Sequence, residues 1–162
     1  MAFAQRMGVD PMDAADAIAD LKPSPGRGQI LNIDGITVID ESYNANPEST
    51  SACLHSVASG FSPPRIALLG DMLELGRDSL ECHMEALSTA EELGYSRLIL
   101  VGGCYREAAG QMRSEGYINC ENAEEALEAL REVAIPGCSV LVKGSNSMGL
   151  SRVVDGLKKE GF

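Results

Sequence analysis

Arg65-Ile-Ala-Leu-Leu-Gly-Asp-Met-Leu-Glu-Leu-Gly76 is the stretch on which the fold turns. Its first half is an unbroken apolar run that stops at a glycine, and Arg97-Leu-Ile-Leu-Val-Gly-Gly103 repeats the pattern. An alternating run suits a strand with one wet face. An unbroken run suits a strand covered on both faces, as in a parallel sheet between layers of helices. Outward from these two segments, strand-sized runs recur at 37–40, 117–119 and 139–142, and helix-sized segments lie at 47–59, 78–93, 105–114, 123–133 and 150–160. Within the fourth of these helices Ala123, Ala126, Leu127, Leu130 and Val133 fall at helical spacing. Strands and helices in alternation imply long, right-handed crossovers. The fold expected is α/β: a Rossmann-like open, mostly parallel sheet with helices on both faces.

Ahead of this alternation the sequence reads differently. Residues 12–21 suit a short helix with Pro11 in its first turn, and Lys22-Pro-Ser-Pro-Gly-Arg-Gly28 is a turn-rich connector. Two short apolar runs, 29–33 and 36–39, flank Asp34-Gly35. Both residues of that pair tolerate positive φ, so it marks a hairpin.

The bulk numbers close off several function classes. A net charge of −11 argues against a nucleic-acid backbone as partner, although local cations and backbone amides can still hold a small anion. No run approaches the roughly 20 apolar residues of a membrane span, and the N-terminal residues lack the core and cleavage site of a signal peptide. A cytoplasmic location is therefore expected. The five cysteines are odd in number and scattered, with no C-x-x-C pair. They read as reduced, structural thiols rather than disulfides or zinc ligands.

In an open α/β sheet ligands gather beyond the carboxyl ends of the strands, which selects four loops. Asp40-Glu-Ser-Tyr-Asn-Ala-Asn-Pro47 packs acids, a phenol and amides into eight positions, suited to ribose hydroxyls and adenine edges. Asn46-Pro47 also reads as a helix cap, which leaves Tyr43 and Asn44 to be explained. In Gly70-Asp-Met-Leu-Glu-Leu-Gly76, Asp71 or Glu74 has the chemistry to orient a partner or a metal-bound water, but a turn before a helix explains the string equally well. His83, on that helix, reads as a satisfied side chain rather than a general base. Lys143-Gly-Ser-Asn-Ser-Met148 offers a cation, hydroxyls and amides to an anion. Gly102-Gly103 does not complete a dinucleotide fingerprint, and no G-x-x-x-x-G-K-[ST] phosphate loop occurs anywhere in the chain.

Singly, none of these strings names a reaction. In order, Gly26-Arg27, Ile39-Asp-Glu-Ser-Tyr-Asn-Ala-Asn-Pro47, Leu69-Gly-Asp-Met-Leu-Glu-Leu-Gly76 with His83, and Leu141-Val-Lys-Gly-Ser-Asn-Ser-Met148 resemble the Mur ligase family. Within it they resemble the branch that adds D-alanyl-D-alanine to UDP-N-acetylmuramoyl-tripeptide, and the likeness covers nearly the whole chain. The resemblance implies three domains: one for the UDP-sugar, a central ATPase with the phosphate loop, and a Rossmann-like C-terminal one. On that map residues 1–35 resemble the tail of the central domain and 36–162 the C-terminal domain.

The implied chemistry uses ATP and Mg²⁺ to phosphorylate the tripeptide carboxylate. The amine of D-Ala-D-Ala then attacks the acyl phosphate, giving the amide, ADP and phosphate. By resemblance, ATP is met by Arg27, Asp40, Tyr43, Asn44 and Asn46, and the incoming substrate by Lys143, Ser145 and Asn146. No catalytic residue and no metal ligand is assigned to this chain; Mg²⁺ is expected mainly on the central domain. The chain departs from the family pattern at Asn146, where relatives usually carry Arg, and at Ser151, where an acid is common. The expectation is of a C-terminal portion without ligase activity by itself, whose partners are the N-terminal and central domains of the same enzyme. A free-standing nucleotide- or protein-binding α/β module is the rival reading, and a generic flavodoxin-like domain a third. Retention of the first 35 residues favours a piece of a longer enzyme.

Overall fold

Asp34 and Gly35 take positive φ angles of 52° and 78°, closing the hairpin between strands β1 (Gln29–Ile33) and β2 (Ile36–Glu41). The computed structural model describes residues 6–10, 12–13, 23–112 and 116–162; most of the helix expected over 12–21 lies outside them. After β2 the chain alternates: α1 (Pro47–Gly60), β3 (Arg65–Gly70), α2 (Ser79–Glu92), β4 (Arg97–Val101), α3 (Gly103–Met112), β5 (Tyr117–Cys120), α4 (Ala123–Val133), β6 (Ser139–Lys143) and α5 (Ser151–Glu160). Short 3₁₀ turns at Gly76–Asp78 and Asn146–Met148 lead into α2 and α5.

The strands form one sheet in the order β1-β2-β6-β3-β4-β5. β1 pairs antiparallel with β2, and every other pairing is parallel. The hairpin that reads in sequence as the end of a preceding domain thus supplies the edge strand of this same sheet. Side chains alternate between two cores. Val38, Ile66, Leu68, Val140 and Val142 face α4 and α5, whereas Ala67, Leu69, Leu98, Leu100 and Leu141 face α1, α2 and α3. All six residues of β3 and all five of β6 are buried. Each fully buried Val, Leu or Ile side chain contributes on the order of 1.5–3 kcal/mol.

The helices form where local chemistry permits. At α1 the Asn46 side chain accepts the Ser49 N–H and the Ser49 hydroxyl returns to the Asn46 N–H, with Pro47 in the first turn. Thr50, Leu54 and Val57 give that helix its buried stripe. Helix α3 starts two residues earlier than the sequence pattern suggests, at Gly103. Its cap comes from another strand: Asp71, beyond β3, accepts the N–H groups of Cys104 and Tyr105 at 3.0 and 2.9 Å. The cysteines are free, Cys120 and Cys138 buried and Cys53, Cys82 and Cys104 half-buried. No helix among the described residues is long and apolar enough to cross a membrane.

Candidate functional site

Chain direction fixes where a ligand can enter. The loops after β2 and β3 leave toward the α1–α3 layer, whereas the loop after β6, lying between those strands, leaves toward α5. This divergence opens a crevice beyond the carboxyl end of β6, the switch point of an open α/β sheet. The crevice holds a cleft of about 610 Å³, walled by the loop after β2 (Tyr43, Asn46), the loop after β3 (Leu73, Glu74) and the loop after β6 (Ser145, Asn146). A smaller cleft of about 210 Å³ adjoins it across the Tyr43–Asn46 segment and brings in Arg27, Glu41 and Lys143. A third, of about 240 Å³, lies toward α5 between Asp40, Tyr43, Asn146 and Lys158. All eight residues singled out in the sequence therefore border one connected region. A separate, more apolar groove of about 510 Å³ between α2 and α3, lined by Leu80, Met84 and Met112, lies on a helical face away from the strand ends.

Within this region the side chains divide by what they touch. Asp40 is buried and its carboxylate is fully engaged: Oδ2 accepts the Gly26 N–H at 3.1 Å, and Oδ1 accepts the Ser42 N–H and hydroxyl at 3.2 and 2.6 Å. It fastens the Gly26 turn to the loop after β2. Lys143 is 2% exposed; its Nζ donates to the Asn44 carbonyl at 3.0 Å and lies 4.0 Å from the Glu41 carboxylate. Ser145 donates its N–H to the Asp71 carbonyl and accepts the Leu73 N–H on its hydroxyl at 2.9 Å. The oxygen of the Asn46 amide is taken by the helix cap. Asp40, Lys143 and Ser145 thus tie separate segments together, while Asn46 caps its own helix.

Arg27, Tyr43, Asn44 and Asn146 are exposed. The Arg27 guanidinium stacks on the Tyr43 ring, 3.8 Å from its centroid. An aromatic face holds a planar cation without consuming its N–H donors, so they stay available to an anion.

The floor of the crevice is backbone against backbone. A side chain at Gly144 would place its Cβ 2.9 Å from the Gly70 Cα and 2.7 Å from Leu150, so the two backbones approach there only because position 144 is glycine.

The string after β3 resolves into structural parts. His83 is fully buried; its Nε2 accepts the Met72 N–H at 3.0 Å, and its Nδ1 donates to the Ser79 carbonyl at 2.6 Å. The two bonds fix one neutral tautomer, and the ring meets Tyr105 edge-on at 4.5 Å. Asp71, His83 and Cys104 bring three ligand-type atoms within 4.8 Å of one another. Both Asp71 oxygens and the His83 Nε2 already accept backbone N–H groups, however, so a cation there would orphan those donors. Nor, among the described residues, do the clefts bring a second such group together: Asp40 is saturated, Glu41 is drawn toward Lys143, and Glu74 and Asp155 line different clefts. An octahedral ion needs several free oxygen ligands or a bound phosphate.

The sequence does not mark Leu73 and Leu75 as site residues, since an apolar loop residue carries no signal of its own, and Ser147 stands unassigned beside Ser145 and Asn146. Glu41 went unassigned beside its more conspicuous neighbours. Glu74, for which the sequence offers either a partner-orienting role or a plain turn, lines the 610 Å³ cleft.

Residues 26–146 match the family described as Mur ligase, glutamate ligase domain. The chain belongs to the Mur ligase family. Among the relatives of this Mur ligase domain, the UDP-N-acetylmuramoyl-tripeptide–D-alanyl-D-alanine ligase of Mycobacterium tuberculosis H37Rv is 35% identical, over 76% of this chain and 29% of its own length. The enzyme of the same name from Mycobacterium leprae is 36% identical, over 95% of this chain and 34% of its own. The chain thus spans about a third of the length of these curated relatives. In fold, the Mur ligase domain superposes on MurF from Acinetobacter baumannii with a TM-score of 0.85 at 24% identity, covering 98% of this chain and 36% of that one. The MurF ligase of Thermotoga maritima, solved in complex with ADP, gives 0.81 at 24% identity, over 98% and 36% of the two chains.

Proposed function

We propose that this chain serves as the C-terminal domain of an ATP-dependent amide ligase that joins D-alanyl-D-alanine to UDP-N-acetylmuramoyl-tripeptide in peptidoglycan precursor synthesis. The observation that carries the reading is the connected cleft at the switch point, where all eight nominated residues meet. Its cations Arg27 and Lys143 line the smaller cleft, and the amides of Asn44 and Asn46 border both that cleft and the larger one. Names of relatives that span three times this length supply the reaction class.

In this reading the domain closes over ATP held by a phosphate-loop core elsewhere in the enzyme. Arg27, steadied on Tyr43, meets the phosphates or ribose, while Asn44 and Asn46 present amide groups to the nucleotide. Asp40 and Lys143 act by holding those loops in place rather than by touching ligand. Ser145 and Asn146 border the side where the dipeptide enters. Phosphoryl transfer to the tripeptide carboxylate makes an acyl phosphate, and the dipeptide amine displaces phosphate to form the amide. Positioning and charge neutralisation supply most of the rate in such chemistry. Mg²⁺ belongs with the nucleotide and the rest of the enzyme, since the residues here offer it no cage. The enzyme works in the cytoplasm, where its nucleotide substrates are. The domain boundary first expected at residue 35 is better placed in the connector before Gly26, because β1 is hydrogen-bonded into the C-terminal sheet.

The test is an amide-shift NMR titration of the chain with Mg²⁺-ATP. Weak, saturable shifts confined to Arg27 and residues 40–46 are expected. Submicromolar binding would identify an autonomous nucleotide module and overturn the closing-domain reading.

A further inference from the structure

We propose that Glu74 recognises the ammonium group of the incoming amine substrate; the inference rests on the ligase reading above and assigns a residue that reading leaves idle. Among the described residues Glu74 is the only charged one lining the 610 Å³ cleft. Its side chain is exposed and enters no hydrogen bond or ion pair there. The nearby Arg77 is turned to Asp78 at 3.7 Å, while Arg27 and Lys143 line the adjoining cleft, beyond the Tyr43–Asn46 segment.

The backbone strengthens the case. Glu74 sits at φ 65°, in the left-handed region that disfavours side chains. The loop is held in this shape from both sides: His83 takes the Met72 N–H, and the Ser145 hydroxyl takes the Leu73 N–H. Glycine would adopt the conformation freely, and among the described residues the carboxylate makes no hydrogen bond or ion pair. What the loop gains from glutamate is an unpaired negative charge aimed at the cleft by a rigid support.

The rest of the lining fits one ligand class. Ala45, Leu73 and Leu75 supply apolar surface for small side chains, and Asn146 and Ser147 supply polar groups for a peptide carbonyl and a terminal carboxylate. A short zwitterionic peptide with methyl side chains uses all three features, its ammonium at Glu74. Phosphate, by contrast, is drawn to the neighbouring cleft that holds the cations. The two clefts thus sort the two ligands by charge.

The test titrates the whole chain, followed by amide-shift NMR, with D-Ala-D-Ala and separately with propionyl-D-alanine, which matches the dipeptide in shape but carries hydrogen in place of the amine. Free dipeptide is expected to shift residues 73–75 and Asn146. Propionyl-D-alanine, or dipeptide on the Glu74→Gln variant, is expected to bind roughly three- to tenfold more weakly, the range for an exposed charge-assisted contact. The amine-free ligand keeps the comparison valid even if the variant misfolds. Equal binding of both ligands, with shifts elsewhere in the cleft, would overturn the role of Glu74 and leave the ligase reading standing. Absence of any dipeptide shift, with Mg²⁺-ATP still shifting residues 40–46, would overturn the role of Glu74 and leave the closing-domain reading standing.

Discussion

Replacing Asp71 by Ala removes the acceptor that caps α3 from across the sheet. In the native fold its two oxygens take the N–H groups of Cys104 and Tyr105 at 3.0 and 2.9 Å, and the residue is 5% exposed. A backbone donor left unpaired in the interior costs about 1–3 kcal/mol, and loss of a helix cap typically costs about 1 kcal/mol. The two overlap, since the same bonds are counted in each, and water entering the half-buried Cys104 end softens the loss. A net destabilisation of roughly 2–4 kcal/mol follows. With a urea m-value of roughly 2 kcal/mol/M for a domain of this size, the unfolding midpoint should fall by roughly 1–2 M. Asp71→Asn keeps one acceptor but turns an NH₂ group toward the other donor, so it should lie between Ala and wild type. Urea unfolding followed by far-UV circular dichroism measures all three. A midpoint within about 0.3 M of wild type for Asp71→Ala would refute the capping argument. If that stability came with loss of nucleotide or dipeptide shifts, Asp71 would be a ligand contact instead.

Lys143→Met removes the strut to the Asn44 carbonyl and leaves Glu41 without its cation; the variant should lose roughly 1–3 kcal/mol by urea unfolding. Its amide shifts should move at 44–46 without any ligand present, and a silent spectrum there would return Lys143 to the substrate. All five thiols have pKa values raised by burial. For Cys53 the neighbouring Lys143 partly offsets that rise. A raised pKa lowers the thiolate fraction at a given pH, so iodoacetamide labelling of the native chain, read by mass spectrometry, should lag a model thiol at pH 8 and climb only as pH rises past the ordinary cysteine range. Fast labelling of Cys53 at pH 8 would contradict its placement.

Much of the fold is readable from short patterns, because the properties involved are local. Unbroken apolar runs at β3 and β4 announce strands covered on both faces, Asp34-Gly35 announces a hairpin, and Asn46-Pro47 announces a helix start. The structure realises each within a residue or so. The start of α3 was not readable, since its cap is an aspartate more than thirty positions upstream whose only link to Cys104 is the pairing of β3 with β4. The edge position of β1 was likewise hidden, because a hairpin signal fixes the turn and says nothing about which sheet the pair joins.

For the site, the sequence by itself determined which residue types stand at the strand ends and the family whose order of motifs they follow. Tertiary structure decided what each does. Asp40, Lys143 and Ser145 look in sequence like ligand groups, and in the fold each also bonds the backbone of a neighbouring loop. Glu74, which in sequence reads equally well as part of a turn, is among the described residues the one charged side chain on the wall of the larger cleft. The reason is physical: a carboxylate or ammonium carries the same chemistry wherever it sits, but whether it serves the fold or a ligand depends on which donors and acceptors lie within 3 Å or so of it. Those neighbours come from strands far apart in the chain, and only the folded sheet brings them together.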